Sequence, residues 1–415
     1  MSERRVVVTG IGVVAPTGIG KEAFWEGIKN GKNCVDRISS FDPSSLPSQI
    51  AAEAKEFDPL DYYESEKEVK RADRSAHLAF AAAFEAIKDS EIKINDGNRK
   101  KIGVLIGTGI GGLGYAEKEH PLFLSGGANK ISPYLAITPF CGALSSEISI
   151  KLGIKGFSLT VSTGCTGSND ALSMAFNLIR FGESDVILSG GADSCITPLT
   201  VAAFSRIGAL STKRNHEPHK ACRPFDKERD GFVIGEGAWV LVLEELEHAI
   251  KRNAPIYAEI YGYGITCDAY HMTAPLPDSE ETARAMELAI ENAGIHPEQI
   301  DYICAHGTST PLNDKQETLA IKKVFKEHAR KIPISSIKAM IGHAIGAAGA
   351  ANVTATILAM VEKFIPPTIN YEHPDPECDL DYVPNIGRKA TINFAMCNSI
   401  GFGGKNSILV LKKFK

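Results

Sequence analysis

The sequence predicts an α/β fold made of two similar halves, and three observations support this prediction. Apolar, strand-like runs alternate with segments of helical periodicity along the whole chain. The order helix, polar turn, strand and Gly/Thr-rich loop occurs twice, at residues 79–114 and 282–314. The order strand, glycine-rich turn and apolar strand also occurs twice, starting at Arg223 and at Ile392. A repeated order of elements indicates a duplicated architecture.

The break between the two sets of elements falls near residues 250–256. We therefore predict an N-terminal half at residues 1–252 and a C-terminal half at residues 253–415, with a site at their junction. The apolar runs predict strands at residues 5–9, 102–106, 185–189, 238–244, 302–305 and 408–412, and the helical periodicity predicts helices at residues 75–90, 168–181, 281–293 and 347–362.

Composition and charge disfavour several classes of function. The 415 residues are 44% hydrophobic and 23% charged, and a net charge of −5 does not indicate a nucleic-acid-binding surface. The sequence has neither a signal-peptide pattern at its start nor an apolar run long enough to span a bilayer. Its nine cysteines lack CxxC spacing, which is typical of free thiols in a reducing compartment. We therefore expect a cytoplasmic protein with no metal site and no membrane or nucleic-acid partner.

Two glycine-rich motifs raise the alternative of a dinucleotide-binding enzyme. Gly109 to Gly114 matches GxGxxG after a strand, and Gly10 to Ala15 matches the GxGxxA variant. The motif at Gly109 to Gly114 is not followed by a second strand that ends in an acidic residue. The motif at Gly10 to Ala15 is followed at once by Pro16, which interrupts the helix that the fingerprint requires. A nicotinamide-dependent oxidoreductase is therefore disfavoured, and we interpret these glycines as residues of tight turns.

One cysteine and two histidines are the candidates for chemistry. Cys165 follows the strand-like run FSLTVST and precedes a helical pattern. Backbone N–H groups at a helix start favour a thiolate over a thiol and can stabilise an oxyanion. His306 follows the apolar strand YICA, and His343 lies among small residues in KAMIGHAIGAAG. The pattern around Cys165 alone is equally consistent with a nucleophile and a packed thiol, but the three residues together favour a reactive site.

Four motifs in a fixed order connect the chain with a known family. They surround Cys165 (VSTGCTGS), begin at His306 (HGTSTPLNDKQE), contain His343 (KAMIGHAIGAAGA) and begin at Asn398 (NSIGFGG). With VVVTGIG, GTGIGG, RPFDKERDGFV and DAYHMTAP, they resemble the elongating β-ketoacyl-(acyl-carrier-protein) synthases of the thiolase superfamily over the whole length. The resemblance implies a thiolase-like fold, in which two βαβαβαββ halves form five layers in the order αβαβα.

The resemblance also implies a decarboxylative Claisen condensation. Cys165 matches the nucleophile that takes an acyl chain as a thioester, and His306 and His343 match the histidines that promote malonyl decarboxylation and stabilise the enolate. The backbone N–H groups of Cys165 and Phe402 match the oxyanion hole of the family. Ile110 and Phe402 match positions that gate the acyl pocket. Cys-His-His is the pattern of the elongating class.

Further residues are implied to support this chemistry. Lys338 matches a lysine that orders the site, with Asp314 and Glu317 in the same polar network. Thr308 and Thr310 match threonines that hydrogen-bond the pantetheine arm of the substrate. No cofactor is expected on the enzyme itself, because the phosphopantetheine group is carried by the acyl carrier protein.

The implied partners are an acyl carrier protein, loaded with acyl or malonyl groups, and a second synthase-like chain. The carrier protein is acidic, and the basic candidates to meet it are Lys70, Arg71, Lys130 and Arg206. The second chain is either an identical copy, in a homodimer, or a chain-length factor, in a heterodimer.

The pathway is less well specified than the chemistry. Gly164 stands where fatty-acid synthases usually carry alanine, and STGCT resembles the α-ketosynthases of type II polyketide systems. HGTSTP, by contrast, resembles the fatty-acid enzymes, and Ile400 replaces a common phenylalanine. We expect a ketosynthase α subunit of a type II polyketide or polyene pathway, with a housekeeping fatty-acid elongation synthase as the alternative. A non-catalytic chain-length factor is disfavoured because Cys165 is present.

Overall fold

The structure, a computed structural model, describes residues 4–414 and has the α/β architecture that the sequence predicts. Its strands are β1 (Val6–Ala15), β2 (Gly18–Ile19), β3 (Asp36–Arg37), β4 (Ile50–Ala52), β5 (Ile102–Thr108), β6 (Ser158–Ser162), β7 (Val186–Asp193), β8 (Ile234–Gly235), β9 (Gly237–Glu245), β10 (Ala258–Cys267), β11 (Tyr302–Cys304), β12 (Ile334–Ser335), β13 (Phe364–Ile365), β14 (Arg388–Lys389), β15 (Phe394–Gly401) and β16 (Lys405–Lys413). Its α-helices are α1 (Lys21–Lys29), α2 (Glu66–Val69), α3 (Arg74–Ser90), α4 (Leu113–Gly126), α5 (Ala143–Leu152), α6 (Gly167–Arg180), α7 (Pro198–Arg206), α8 (Leu246–Lys251), α9 (Glu280–Ala293), α10 (Pro311–Phe325), α11 (Lys338–Ile341) and α12 (Ala348–Glu362).

The predicted elements are present, with ends displaced by a few residues. The four predicted helices correspond to α3, α6 and α9, which have an apolar face, and to α12, which is buried along nearly its whole length. Strands such as β2 and β13 are not predictable from the sequence, because two residues are too few to show an alternating pattern. The sequence analysis also missed α4, which contains Pro121 in its interior, a residue that normally indicates the end of a helix.

The main sheet demonstrates the duplication directly. Within the described residues it has eleven strands, and its order is β12-β11-β15-β16-β10-β1-β9-β7-β5-β6, with β2 paired to β1. Counted from the centre outwards, the first half runs β1, β9, β7, β5, β6 and the second half runs β10, β16, β15, β11, β12. In each half the first of the five strands in the chain lies at the centre, followed outwards by the fifth, the fourth, the second and the third. The two halves therefore have the same topology. The boundary at residue 252 stays a prediction.

Helices cover both half-sheets and fill the space between them. Helix α3 packs on β1, β9 and β7 on one outer side, and α9 packs on β10 and β16 on the other. Helices α6 and α12 contact each other and strands of both halves, within one large apolar cluster. The layers are therefore helix, sheet, helix, sheet, helix, which is the thiolase-like arrangement.

Helix α12 is the most apolar element of the core. The segment Ile345–Glu362 is long and apolar enough to cross a membrane, but 89% of it is buried inside the protein. Its alanines and its buried polar residues pack against α6 and β15. The apolar character of this segment is therefore explained by its central position in the fold.

Strand direction determines where a site can form. Strands β5, β6 and β7 are parallel neighbours, so that Thr108, Ser162 and Asp193 end at the same edge of the sheet. Loops that follow parallel strands meet at this edge, where binding sites of α/β proteins commonly lie. The loop after β11 and the turn before α12, both from the second half, complete this region.

Candidate active site

Cys165 lies in a tight turn between β6 and α6. A 3-10 turn at Gly164–Thr166 precedes the helix, and Gly164 adopts the left-handed conformation with φ of 69°. The hydroxyl of Thr166 donates to Asp170 in the first helical turn, at 2.9 Å. A Cβ atom on Gly167 would lie 2.8 Å from the carbonyl oxygen of Thr108, so only glycine lets the helix approach β5 this closely. The turn presents the Cys165 side chain at the sheet edge.

Burial dominates the electrostatics of the Cys165 thiol. It raises the pKa of this thiol to about 11, although the nearby Lys338 charge and the backbone N–H groups of Phe402 and Cys165 lower it. The N–H groups at the helix start therefore favour the thiolate, as expected, but removal of the thiol from water has the larger effect on its pKa. The two N–H groups nevertheless converge on the sulfur, where the sequence analysis expected an oxyanion hole.

Both histidines lie beside this thiol. The Nε2 atom of His343 is 3.2 Å from the Sγ atom of Cys165, and the His306 and His343 rings are 5.3 Å apart and nearly perpendicular. The edge of Phe232 packs against the His343 ring at 5.1 Å. Burial and the Lys338 charge hold the pKa of both imidazoles well below its ordinary value, so both rings are neutral. The structure thus brings the three candidates into one group.

Two buried carboxylates shape the loop that carries His306. Glu317 accepts hydrogen bonds from the backbone N–H groups of His306 and Gly307 at 2.7 and 2.8 Å, and from the Asn398 side chain at 2.9 Å. Asp314 accepts from the backbone N–H of Thr308 at 3.0 Å. Burial raises the pKa of both carboxyl groups. Glu317 therefore joins the loop after β11 to β15.

Lys338 lies at the start of α11, and its ammonium group is fully buried. Among residues 4–414, no side chain or backbone group hydrogen-bonds its Nζ atom. Burial lowers the pKa of Lys338, while the neighbouring Cys304 and Glu317 raise it. A positive charge here favours negative charge on Cys165 or on a bound substrate. The sequence analysis placed Lys338 in the same network as Glu317, and the structure brings the two together.

A cavity of about 290 Å³ leads from the surface to Cys165. Thr308 and Thr310 line it, with their hydroxyl oxygens 2.9 Å apart, and Phe402 forms part of the wall. Ile110 does not line this cavity, and instead packs with Cys165 and Phe402 in an apolar cluster behind it. The predicted site residues that line the cavity are Cys165, His306, His343, Thr308, Thr310 and Phe402.

Sequence reasoning missed one buried carboxylate at this edge, Asp193. Its oxygens accept hydrogen bonds from the loop after β5 and from Gly346, just before α12. The GxGxxG motif that begins at Gly109 is followed by a helix, α4, but the N–H groups of Gly109 and Ile110 already donate to the Asp193 carboxylate. The available signal was the ending of β7, GGAD, in which an acidic residue follows a buried strand.

Family models match nearly the whole chain. Residues 3–249 match the N-terminal domain of β-ketoacyl synthases, and residues 257–372 match the C-terminal domain. The chain belongs to the β-ketoacyl synthase family. It is a condensing acyltransferase of the β-ketoacyl-(acyl-carrier-protein) synthase type.

Two curated proteins that this β-ketoacyl synthase resembles are each described as 3-oxoacyl-(acyl-carrier-protein) synthase 2. The protein from Synechocystis sp. is 45% identical over 415 residues, covering 100% of this chain and 99% of the relative. The protein from Coxiella burnetii is 46% identical over 413 residues, with the same coverage. The match is therefore end to end in both proteins.

Solved structures confirm the fold. A chain of the AntDE:AntF complex, a type II polyketide ketosynthase with its acyl-carrier protein, superposes with a TM-score of 0.93 at 36% identity and covers 100% of both chains. A β-ketoacyl synthase from Burkholderia phymatum gives 0.91 at 34% identity and covers 99% of this chain and 100% of that one. Because the fatty-acid-type relatives are more similar in sequence, the comparisons favour the fatty-acid alternative over the polyketide expectation.

Proposed function

We propose that this β-ketoacyl synthase elongates fatty acyl chains by two carbons, with malonyl and acyl groups delivered by an acyl carrier protein. The observation that carries the proposal is the group of Cys165, His306 and His343 at the bottom of one cavity, with 3.2 Å between Cys165 Sγ and His343 Nε2. The 42–46% identity to 3-oxoacyl-(acyl-carrier-protein) synthase 2 proteins supports the fatty-acid pathway.

The first half-reaction loads the enzyme. The Cys165 sulfur attacks the thioester carbonyl of the acyl carrier, its proton passes to His343, and the departing pantetheine thiol takes that proton up. The backbone N–H groups of Cys165 and Phe402, which point at the sulfur, stabilise the oxyanion of the tetrahedral intermediate. The acyl chain then resides on Cys165 as a thioester.

The second half-reaction forms the new carbon–carbon bond. The bond between the malonyl α-carbon and its carboxylate breaks, and carbon dioxide leaves. The electron pair of the broken bond remains on the α-carbon as an enolate. Neutral imidazoles of His306 and His343 donate N–H hydrogen bonds to the enolate oxygen. The enolate carbon attacks the acyl group, and Cys165 leaves as a thiolate that regains a proton. Occupation of the cavity by the substrate excludes water from it and so protects the carbanion from protonation.

Thr308 and Thr310 suit the pantetheine arm of the substrate. Their paired hydroxyls line the cavity between its mouth and His306, and each hydroxyl can donate to or accept from an amide. No cofactor on the enzyme is required by this reaction, because the substrate itself carries the phosphopantetheine group.

The carrier protein is proposed to dock on exposed basic residues. Lys70, Arg71, Lys130 and Arg206 are all exposed, and the first two adjoin the short helix α2. Lys70 is near Glu66, and Arg71 lies over the Tyr134 ring. Exposed cations attract an acidic partner through long-range electrostatics that salt weakens. A cytoplasmic location accords with such a soluble partner.

A second copy of the chain is proposed to pair along β6. This strand ends the main sheet, and Leu159 within it is 47% exposed. Further exposed apolar side chains follow it on nearby elements, namely Leu122, Phe123, Phe140 and Ile150. An exposed edge strand with apolar neighbours favours pairing with another chain. A homodimer fits this surface, and a chain-length factor is the alternative partner.

Mass spectrometry of products tests the proposed function. The purified protein is incubated with malonyl-carrier and a saturated acyl-carrier, and Cys165→Ala serves as the inactive control. We expect a single 3-oxoacyl-carrier two carbons longer than the primer. Unreduced chains extended by several ketide units would instead assign the enzyme to polyketide synthesis, to which the STGCT motif and the AntDE:AntF similarity point. Absence of any condensation product would contradict both.

A further inference from the structure

We propose that Asp193 is a positioning residue for the condensation, whose carboxylate ties the Ile110 loop to the His343 turn and so holds the His343 imidazole against Cys165. The inference rests on the proposed function, because it assigns a role within the same site. It concerns a residue that no motif of the sequence singled out.

The Asp193 carboxylate joins segments from both halves of the protein. One oxygen, Oδ1, accepts from the Thr108 hydroxyl at 2.7 Å and from the Ile110 N–H at 3.4 Å. The other oxygen, Oδ2, accepts from the Gly109 N–H at 2.7 Å and from the Gly346 N–H at 2.6 Å. A single carboxylate thus connects the end of β5 with Gly346 in the turn that precedes α12.

Packing around the carboxylate leaves little freedom. A Cβ atom on Gly346 would lie 2.2 Å from the Gly109 backbone nitrogen and 2.7 Å from Asp193 Oδ2. The two backbones therefore approach each other directly across the carboxylate. Ile345, the preceding residue, has φ of 43°, a conformation that a β-branched side chain adopts only when its surroundings enforce it. The hydrogen bond to Gly346 is part of that enforcement.

The turn under strain is the one that carries His343. The backbone of His343 is itself held by two hydrogen bonds. Its backbone N–H donates to the Val233 carbonyl at 2.7 Å, and the Gly235 backbone N–H donates to the His343 carbonyl at 2.9 Å. Gly346 is three residues further on and is held by Asp193. The imidazole therefore stands between two anchors, of which Asp193 is the one that also contacts the Ile110 loop.

Asp193 acts through position and not through its charge. An ionised carboxylate at this distance disfavours the Cys165 thiolate, and its charge raises the pKa of the Cys165 thiol. The Asp193 charge is therefore unfavourable for thiolate formation, but its two oxygens accept hydrogen bonds from donors on both loops. Removal of the charge alone would lower the pKa of Cys165, whereas removal of the acceptor oxygens would free the two loops.

The test compares Asp193→Asn with a matched carboxylate elsewhere. The asparagine keeps one acceptor oxygen and turns an NH2 group towards backbone N–H donors. The control is Glu244→Gln, since Glu244 is also fully buried and accepts from several donors, including Thr9 and Arg252. In the pairing of β7 with β9, Glu244 faces Val186 and Gly237 faces Asp193, so the two carboxylates lie at opposite ends of the strand pair.

We expect Asp193→Asn to lower kcat for condensation by about 10- to 100-fold at a nearly unchanged KM for malonyl-carrier, since small displacements of a catalytic group have effects of this size. Hydrogen exchange should accelerate in the peptides that contain Gly109 and Gly346. Glu244→Gln should lower Tm while leaving kcat within about two-fold, because its site is remote from the cavity. A loss of kcat in Glu244→Gln equal to that in Asp193→Asn would overturn the proposal.

A second pair of variants covers the case in which Asp193→Asn does not fold. Thr108→Val removes one donor to the carboxylate at nearly constant shape, and Thr108→Ser retains it. We expect the valine variant to lose kcat and the serine variant to remain close to wild type; equal rates in the two would overturn the role of Asp193. A wild-type protein that forms no condensation product would contradict the proposed function instead, and hydrogen exchange would still report whether Asp193 ties the loops.

Discussion

Cys165, His306 and His343 each occupy a position in which burial favours the uncharged form. For the thiol this raises the pKa, and for the imidazoles it lowers the pKa, so these three reacting side chains are uncharged at pH 7. Negative charge then develops on the reacting atoms during the reaction, as a thiolate, an oxyanion and an enolate. Lys338 and the N–H groups of Cys165 and Phe402 are already in place to stabilise it.

The first prediction concerns the pH dependence of the nucleophile. Because the pKa of Cys165 is raised to about 11, its thiolate fraction should grow about ten-fold per pH unit up to that value. The measurement is the rate of carbamidomethylation of Cys165 by iodoacetamide between pH 6 and pH 11, followed by peptide mass spectrometry. The control is a model cysteine peptide, whose rate of modification should level off above its pKa of about 8.5. Levelling off of Cys165 below pH 8 would contradict the prediction.

The second prediction separates the two histidines. His343 contacts the Cys165 sulfur, and His306 faces the His343 ring instead. We expect His306→Ala to lower malonyl decarboxylation by about 10²- to 10³-fold, the usual cost of losing one oxyanion donor, and to change acylation of Cys165 little. His343→Ala should lower both steps. His248→Ala, a half-exposed histidine on α8, serves as the control. Equal effects of His306→Ala on both steps would argue against this division.

The turn before α6 shows, at the scale of elements, what sequence can and cannot specify. The strand-then-helix pattern around Cys165 was predicted correctly, because β6 and α6 have clear apolar periodicity. The 3-10 turn between them was not, since its form depends on Gly167 packing against β5. The raised pKa of Cys165 could not be read from the pattern either, because burial arises from residues distant in the chain.

The hydrogen-bond partners of Asp193 could not be predicted for the same reason, although the GGAD ending of β7 marked an acidic residue at a strand end. Its donors lie 84 and 153 residues away in the chain, in Gly109 and Gly346, and only the folded topology brings them together. His306, His343 and Cys165 were found because each lies in a motif that resembles a family, and the resemblance supplied their association. The gating role expected of Ile110 stays a prediction, since Ile110 packs against the same apolar cluster as Cys165 and Phe402 but is not among the residues that line the cavity.

The third prediction uses the glycines of this turn. A Cβ atom on Gly164 would meet nothing within 4 Å, so Gly164→Ala has only the left-handed φ of 69° to overcome. We expect it to lower the free energy of unfolding by about 1–2 kcal/mol, with activity retained. Gly167→Ala should be more damaging to both, because its Cβ atom would lie 2.8 Å from the Thr108 carbonyl oxygen. Denaturation in urea and the acylation rate measure the two effects.

If Gly164→Ala abolished activity while Gly167→Ala did not, this description of the turn would be wrong. The expected tolerance of Gly164→Ala also explains why the glycine at this position is a weak guide to pathway. Either residue fits the space beside Cys165, and the overall similarity to fatty-acid-type relatives is the stronger indicator.

The whole molecule places the site where its two halves meet. Cys165 comes from the first half, and His306 and His343 come from the second half, so that only the duplicated fold assembles them. Helices α6 and α12, which begin beside Cys165 and His343, pack on each other in the central layer. The repeat predicted from the sequence therefore positions the chemistry as well as the sheet.

The fourth prediction concerns assembly of the whole molecule. Leu159→Lys places a charge on the exposed edge strand β6 and should prevent the proposed pairing of two copies, leaving a monomer. Light scattering coupled to gel filtration measures the mass. Ile386→Lys is the control, because Ile386 is 80% exposed on a different part of the surface. Wild-type protein that runs as a monomer, or equal effects of both substitutions, would disprove pairing along β6.

The central claim is that Cys165 carries the acyl chain before condensation, and intact-protein mass spectrometry tests it most directly. The wild-type protein is mixed with an acyl-carrier in the absence of malonyl-carrier, alongside Cys165→Ala and the exposed-thiol control Cys267→Ala. We predict one acyl group per chain on wild type and on Cys267→Ala, released when malonyl-carrier is added, and none on Cys165→Ala. Acylation of Cys165→Ala to the wild-type level would contradict the account.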